Sequence, residues 1–165
     1  MKALVLAGGR GTRLRPITNT LNKHLIPIAG RPMIFRVLDD IAECGIQDVI
    51  INLNKGDQEI TSILGTGDAW GLNISYIEQE VPNGMMYPIL LAEDKLKDSP
   101  FLLHAGDNIL SGGITKYYKE FQENNSDAHL LTTKVRNWQR FGVAVVENGR
   151  MVKTVEKPAE YVSDL

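Results

Sequence analysis

The chain has 165 residues, 43% of them hydrophobic and 23% charged, which is the size and make-up of one folded domain and excludes a disordered or fibrous protein. A net charge of -2 without any run of lysines and arginines argues against a surface that coats nucleic acid. The single cysteine, Cys44, cannot close an intramolecular disulfide, which points to a cytoplasmic protein, and the apolar runs are too short for a membrane span or a signal peptide.

Ala3-Leu4-Val5-Leu6 predicts a buried strand, and it opens directly into Ala7-Gly8-Gly9-Arg10-Gly11-Thr12-Arg13-Leu14-Arg15-Pro16. Glycine has no Cβ, so a loop with three of them turns sharply and lets an anion approach the backbone N–H groups. Arg10, Arg13 and Arg15 add fixed positive charge beside them. Together these residues predict a nucleotide-phosphate site. Two other glycine loops fail on residue identity. The dinucleotide fingerprint needs a third glycine where Leu14 stands, and the Walker loop needs a Gly-Lys-Ser/Thr ending that is absent. A plain strand-to-helix turn would need only one glycine.

A polar, irregular segment runs to Ile28, and Gly30-Arg31-Pro32 then places Pro32 in the first turn of a helix. Met33, Ile34, Val37, Leu38 and Ile41 recur at helical spacing, with Gly45 as the stop. Strands are expected over Asp48 to Leu53, Ile74 to Ile77 and Phe101 to Ala105, the last leading into Gly106-Asp107-Asn108. Helices are expected over Asp57 to Leu64, Met85 to Leu96 and Ile114 to Asn124, followed by a strand over Ala128 to Val135. A hairpin over Gly142 to Val155 turns at Glu147-Asn148-Gly149-Arg150, where Asn-Gly is a strong turn signal. His104 reads as a packed strand residue, and Trp70 and Trp138 as core or loop anchors.

Strands alternating with helices at this spacing imply a three-layer α/β sandwich with a mostly parallel sheet. Ligands gather at the carboxyl ends of such strands, which puts the glycine loop and Asp107 on one rim. An aspartate at a strand end commonly closes an Asx-turn or caps a helix. Beside a phosphate loop, a carboxylate that holds Mg²⁺ against phosphate oxygens is the favoured reading.

With these motifs in order, the chain resembles the sugar-phosphate nucleotidyltransferases, closest to the glucose-1-phosphate thymidylyltransferases. The likeness rests on Leu6 to Leu14 with Pro16, on Lys23 and Pro27, and on Gln79 and Gly84. It continues through Gly106-Asp107-Asn108, Arg140-Phe141-Gly142-Val143 and Glu156-Lys157-Pro158, end to end along the chain. The resemblance implies a three-layer Rossmann-like nucleotidyltransferase sandwich over residues 1–165. It also implies transfer of a nucleotidyl group from dTTP or UTP to glucose-1-phosphate with Mg²⁺, releasing pyrophosphate.

By the same resemblance, Leu6, Ala7, Gly8, Gly9, Gly11 and Thr12 hold the nucleotide, and Gln79 and Gly84 read its base. Arg13 and Lys23 act on the phosphates, and Asp107 binds the metal. Gly142 and Glu156 face the sugar, and Lys157 grips the sugar phosphate. The chain departs from the family at Gly84-Met85-Met86-Tyr87-Pro88, where a helix start resembling Gly-Leu-Ala-x-Ala is usual. Family members also continue past the equivalent of Leu165 into a further strand and a second metal-binding aspartate. The expectation for this chain is therefore an open sheet edge, self-association into a homo-oligomer, and weak turnover. A nucleotide-binding module without turnover and a transferase for another hexose-1-phosphate stand as alternatives.

Overall fold

Strand β1 (Lys2–Leu6) lies at the centre of the structure, a computed structural model that describes residues 1–81, 83–124 and 126–165. Short ladder strands β2 (Pro27–Ile28) and β3 (Arg31–Pro32) follow, then helix α1 (Met33–Glu43), β4 (Asp48–Asn54) and α2 (Gln58–Leu64). Next come β5 (Asn73–Gln79), α3 (Met86–Leu91), α4 (Glu93–Leu96), β6 (Phe101–Ala105) and α5 (Thr115–Glu123). The chain ends in the hairpin of β7 (Gly142–Glu147) and β8 (Arg150–Glu156). It divides into two compact units, Met1–Lys119 and Glu120–Leu165.

In the first unit β5, β4, β1 and β6 form one sheet in that order, and all three pairings are parallel. Leu6 pairs with Asn52 on one side and Ala105 on the other, so β1 and β6 end level at one rim while β4 runs two residues further to Asn54. Alternation along the strands sorts side chains to two faces. Val5, Val49, Ile51 and Leu53 meet Ile34, Val37, Leu38 and Ile41 of α1 together with Ile60 and Leu64 of α2. On the opposite face Leu4 and Ile50 meet Ala92 and Leu96, with Ile89 beside them. Helices therefore cover both faces, as expected of a three-layer sandwich.

The residues explain most boundaries. The apolar stripe of α1 is wholly buried, and Gly45, at φ 75, ends it where a side chain would be strained. Pro32 sits just ahead of α1, in the two-residue ladder with Pro27, rather than inside its first turn. The helix expected over Met85 to Leu96 divides into α3 and α4 at Ala92, whose backbone (φ -92, ψ 1) leaves the helical region.

Within the second unit β7 and β8 pair antiparallel, and Asn148 (φ 51) with Gly149 (φ 76) makes the turn that the Asn-Gly pair predicted. No strand forms over Ala128 to Val135. A strand needs a partner ladder, and the Val135 N–H instead donates to the Asp164 carbonyl at 2.8 Å, while Leu130 and Leu131 stay exposed. The apolar run carries β propensity but meets no strand among the described residues.

Candidate functional site

The glycine loop leaves β1 at the carboxyl rim of the sheet. Ala7 continues the ladder by donating to the Asn52 carbonyl, and Gly106, just past β6, donates to the Leu6 carbonyl, each at 2.9 Å. The loop and Gly106-Asp107-Asn108 thus leave the rim from neighbouring strands, as the strand-end rule requires.

Each glycine of the loop is pressed by a polar side chain, Gly8 by Gln79 and Asn52, and both Gly9 and Gly11 by Lys23. A Cβ on Gly8 would lie 2.4 Å from Gln79 Nε2 and 2.8 Å from Asn52 Nδ2. One on Gly9 would lie 2.8 Å from Lys23 Nζ, and one on Gly11 (φ 61) would lie 2.9 Å from Lys23 Cβ. The Lys23 side chain therefore runs along the floor of the loop, where only glycine leaves it room. Its ammonium ends 2.5 Å from Asp107 Oδ2. The loop is braced from within, Thr18 Oγ1 donating to the Gly11 carbonyl at 2.8 Å.

Lys23 owes its position to a clamp on its two neighbours. Asn22 Nδ2 donates to Asp57 Oδ2 at 2.7 Å, and the Asn22 N–H to Glu59 Oε2 at 3.2 Å. Since a carboxylate only accepts, the Asn22 nitrogen faces Asp57 and its oxygen faces His24. That oxygen accepts from the His24 N–H at 3.0 Å and from His24 Nδ1 at 2.9 Å. The imidazole is fully buried against Gly106, whose Cβ would come within 2.9 Å of its Cδ2. Burial, followed by the charge of Lys23, lowers its pKa from 6.5 to about 4 against the opposing pull of Asp107. His24 is thus neutral near pH 7, with the proton on Nδ1 and a buried, unpartnered Nε2. At Asp107, burial pushes the carboxyl up, but the hydrogen bond and charge of Lys23 outweigh it and hold the group below its usual range.

A cleft of about 480 Å³ opens beside this cluster, lined by Gly9, Arg10, Arg15, Thr18, Lys23 and Asn54 among others. Arg13 is exposed and Thr12 opens a single helical turn, Thr12–Leu14, that follows Gly11. Leu6 is half-buried and Ala7 buried. Gln79, at the end of β5, is 3% exposed and reaches the glycine loop. Gly84 (φ 77) is exposed ahead of α3, next to Met85 and Met86, which are 69% and 68% exposed. In the second unit Gly142 pairs with Glu156, whose Oε2 would lie 2.8 Å from a Cβ on that glycine. Lys157 Nζ lies 3.3 Å from Glu156 Oε1, and its N–H donates to the Phe141 carbonyl. The first unit thus brings Gly8, Gly9, Gly11, Lys23, Gln79 and Asp107 together, and the second brings Gly142, Glu156 and Lys157 together.

Three residues at the first cluster carry no motif of their own: Asn22, His24 and Asn52. Only Asn52 leaves a sequence signal, as a polar residue inside the apolar run from Val49 to Leu53.

The nucleotidyl transferase family matches residues 2–165. The chain belongs to that family. It is 43% identical over 166 residues to a glucose-1-phosphate thymidylyltransferase of Streptomyces griseus, covering 100% of this chain and 47% of that protein. A mannose-1-phosphate guanyltransferase of Yarrowia lipolytica is 33% identical over 169 residues, covering 99% of this chain and again 47% of the relative. This chain therefore spans about half the length of these relatives. A Bacillus anthracis structure described as a glucose-1-phosphate thymidylyltransferase in complex with a sucrose superposes with a TM-score of 0.91 at 36% identity. That match covers 99% of this chain and 67% of the other.

Proposed function

We propose that the protein joins a nucleoside triphosphate to a sugar-1-phosphate, with dTTP or UTP and glucose-1-phosphate as substrates. An oxygen of the sugar phosphate attacks the α-phosphorus, the bond to the β-phosphate oxygen breaks, and pyrophosphate leaves with the bonding electrons. The observation that carries this reading is Lys23, laid across Gly9 and Gly11 with its ammonium on Asp107. The attacking phosphate is already ionised, so no protein base is needed. Catalysis then consists of bringing two anions together and neutralising charge at the α-phosphorus.

Gly8, Gly9 and Gly11 offer backbone N–H groups to the nucleotide, with Leu6, Ala7 and Thr12 at the edges of that cradle. Arg13 and Lys23 carry positive charge to the phosphates, and Gln79 and Gly84 contact the base. Gly142 and Glu156 take the sugar and Lys157 its phosphate. Among the described residues no three His, Cys, Asp or Glu side chains converge as a metal cage. A single carboxylate fits Mg²⁺ nonetheless, because this ion takes one or two carboxylates and fills its shell from phosphates and water. Asp107, ionised and already seating a cation, is that carboxylate. Bound there, Mg²⁺ would supply charge neutralisation at the phosphates.

For these 165 residues alone, nucleotide binding with little turnover is the second reading, since the Streptomyces griseus relative is about twice as long. The test is pyrophosphate release with Mg²⁺, glucose-1-phosphate and each nucleoside triphosphate in turn, alongside calorimetric binding. Release with dTTP or UTP supports the transferase. Binding without release, weakened by Arg13→Ala, supports the second reading. Neither release nor binding overturns the phosphate-site argument.

A further inference from the structure

Three amides close on the first glycine of the loop. Asn52 Nδ2 donates to Gln79 Oε1 at 3.1 Å, and Gln79 Nε2 donates both to the Gly8 carbonyl and to Asn54 Oδ1, each at 3.2 Å. The direction of each amide follows from the Gly8 carbonyl, which can only accept, so the Gln79 nitrogen must face it. Gln79 Oε1 then lies toward Asn52, which must present its own nitrogen. Asn52 is 1% exposed, and its Oδ1 is buried without a partner. At a position flanked by Val49, Ile50, Ile51 and Leu53 an aliphatic residue would pack without leaving that oxygen unsatisfied. Stability alone does not account for the asparagine.

The network leaves Gln79 with a restricted repertoire. Both of its N–H bonds are committed to protein acceptors, and one of the two acceptor positions on Oε1 is committed to Asn52. What remains for a ligand is one acceptor position and no donor. A base meeting it must bring an N–H: the imide N3–H of thymine or uracil, or N1–H of guanine. Cytosine and adenine carry acceptors at the matching ring positions, N3 and N1, and could donate to it only by turning their exocyclic amino groups toward it, so the discrimination acts at the ring position.

We propose that Asn52, supported by Asn54, is a positioning residue that locks the Gln79 amide as an acceptor and so selects bases carrying an imide N–H. This rests on the reading of Gln79 as the base contact. The network also explains why residue 8 is glycine, since any Cβ there would displace both amides.

The test measures binding of dTTP, UTP, GTP, CTP and ATP, and of inorganic pyrophosphate, to the wild type and three variants. Asn52→Leu keeps the volume but removes the donor that holds Gln79 Oε1, leaving the amide held only through its nitrogen, and should lower the dTTP-to-CTP affinity ratio about tenfold with pyrophosphate binding unchanged. Asn52→Asp sets a carboxylate against Gln79 Oε1, competes with the Gly8 carbonyl for the Gln79 amide nitrogen and favours the turned amide that presents a free N–H. It should shift the ratio further toward CTP than Asn52→Leu does. Equal weakening of all five nucleotides and pyrophosphate in both variants, or an unchanged ratio, overturns the proposal. Gln79→Ala separates the two levels of argument. If it abolishes base discrimination while Asn52→Leu does not, the Asn52 inference fails and the base contact stands. If Gln79→Ala leaves discrimination intact, the base contact fails and the inference with it.

Discussion

His24 is buried in its neutral form between Lys23 and Gly106, and acid should therefore loosen the packing beneath the glycine loop. Lys23 and Asp107 are the charged groups acting on it, the first lowering and the second raising its pKa against a dominant burial effect. The native pKa of about 4 lies below the ordinary histidine value of 6.5. Between those values the unfolded chain holds a proton that the native state refuses, so the unfolded state binds more protons and stability falls as pH falls. At about 1.4 kcal/mol per pH unit the full effect is about 3 kcal/mol, reached below pH 4, and roughly 2 kcal/mol is lost between pH 7 and pH 5. The assay is urea denaturation at both pH values for the wild type and for His24→Asn, whose amide can replace the Nδ1–H bond to Asn22. The variant removes the titrating group, so its stability loss over the same interval should be smaller by roughly 2 kcal/mol, whatever its stability at pH 7. Parallel pH dependence in the two proteins, or a His24 ring resonance titrating near 6.5, would refute the reasoning.

Three further outcomes test the same geometry. Asp107→Asn keeps the shape but loses the charge, and should abolish Mg²⁺-dependent turnover while changing nucleotide affinity by less than about tenfold; retained turnover would remove Asp107 from the metal site. Gly8→Ala must displace Gln79 Nε2 and Asn52 Nδ2, and should cost about 1–3 kcal/mol in denaturation together with lost base discrimination; a neutral result would show that the amides yield freely. Strand β6 lies at an edge of the sheet with Phe101 and Leu103 exposed at 36% and 40%, so this chain should self-associate in sedimentation and Leu103→Lys should reduce it. A monodisperse wild-type monomer would contradict that expectation.

Local chemistry made much of the molecule legible. The apolar run before Gly8, the helical stripe from Met33 to Ile41 and the Asn148-Gly149 turn each form what their own residues favour, because the information lies within a few positions. Alternating elements with strand-end motifs also placed the glycine loop and Asp107 on one rim. The break at Ala92 and the ladder that takes Pro32 were not visible, since propensity is similar on either side of them. Ala128 to Val135 reads as a strand by composition, yet a strand exists only where another offers a ladder, and that is a tertiary property.

The same distinction runs through the site. The sequence, through its motifs and the family resemblance they carry, singled out Gly8, Gly9, Gly11, Lys23, Asp107 and Gln79 as candidate phosphate, metal and base contacts. Tertiary packing alone decided that Lys23 runs along the glycines to Asp107, that Asn22 and His24 clamp it there, and that Asn52 orients Gln79. The Asn22–His24 bonds are local, but the contacts that Asn22 makes with Asp57, Lys23 with Asp107 and Asn52 with Gln79 join strands and turns far apart along the chain. Each depends on which polar atoms burial leaves with no alternative partner, and a linear pattern cannot express that condition.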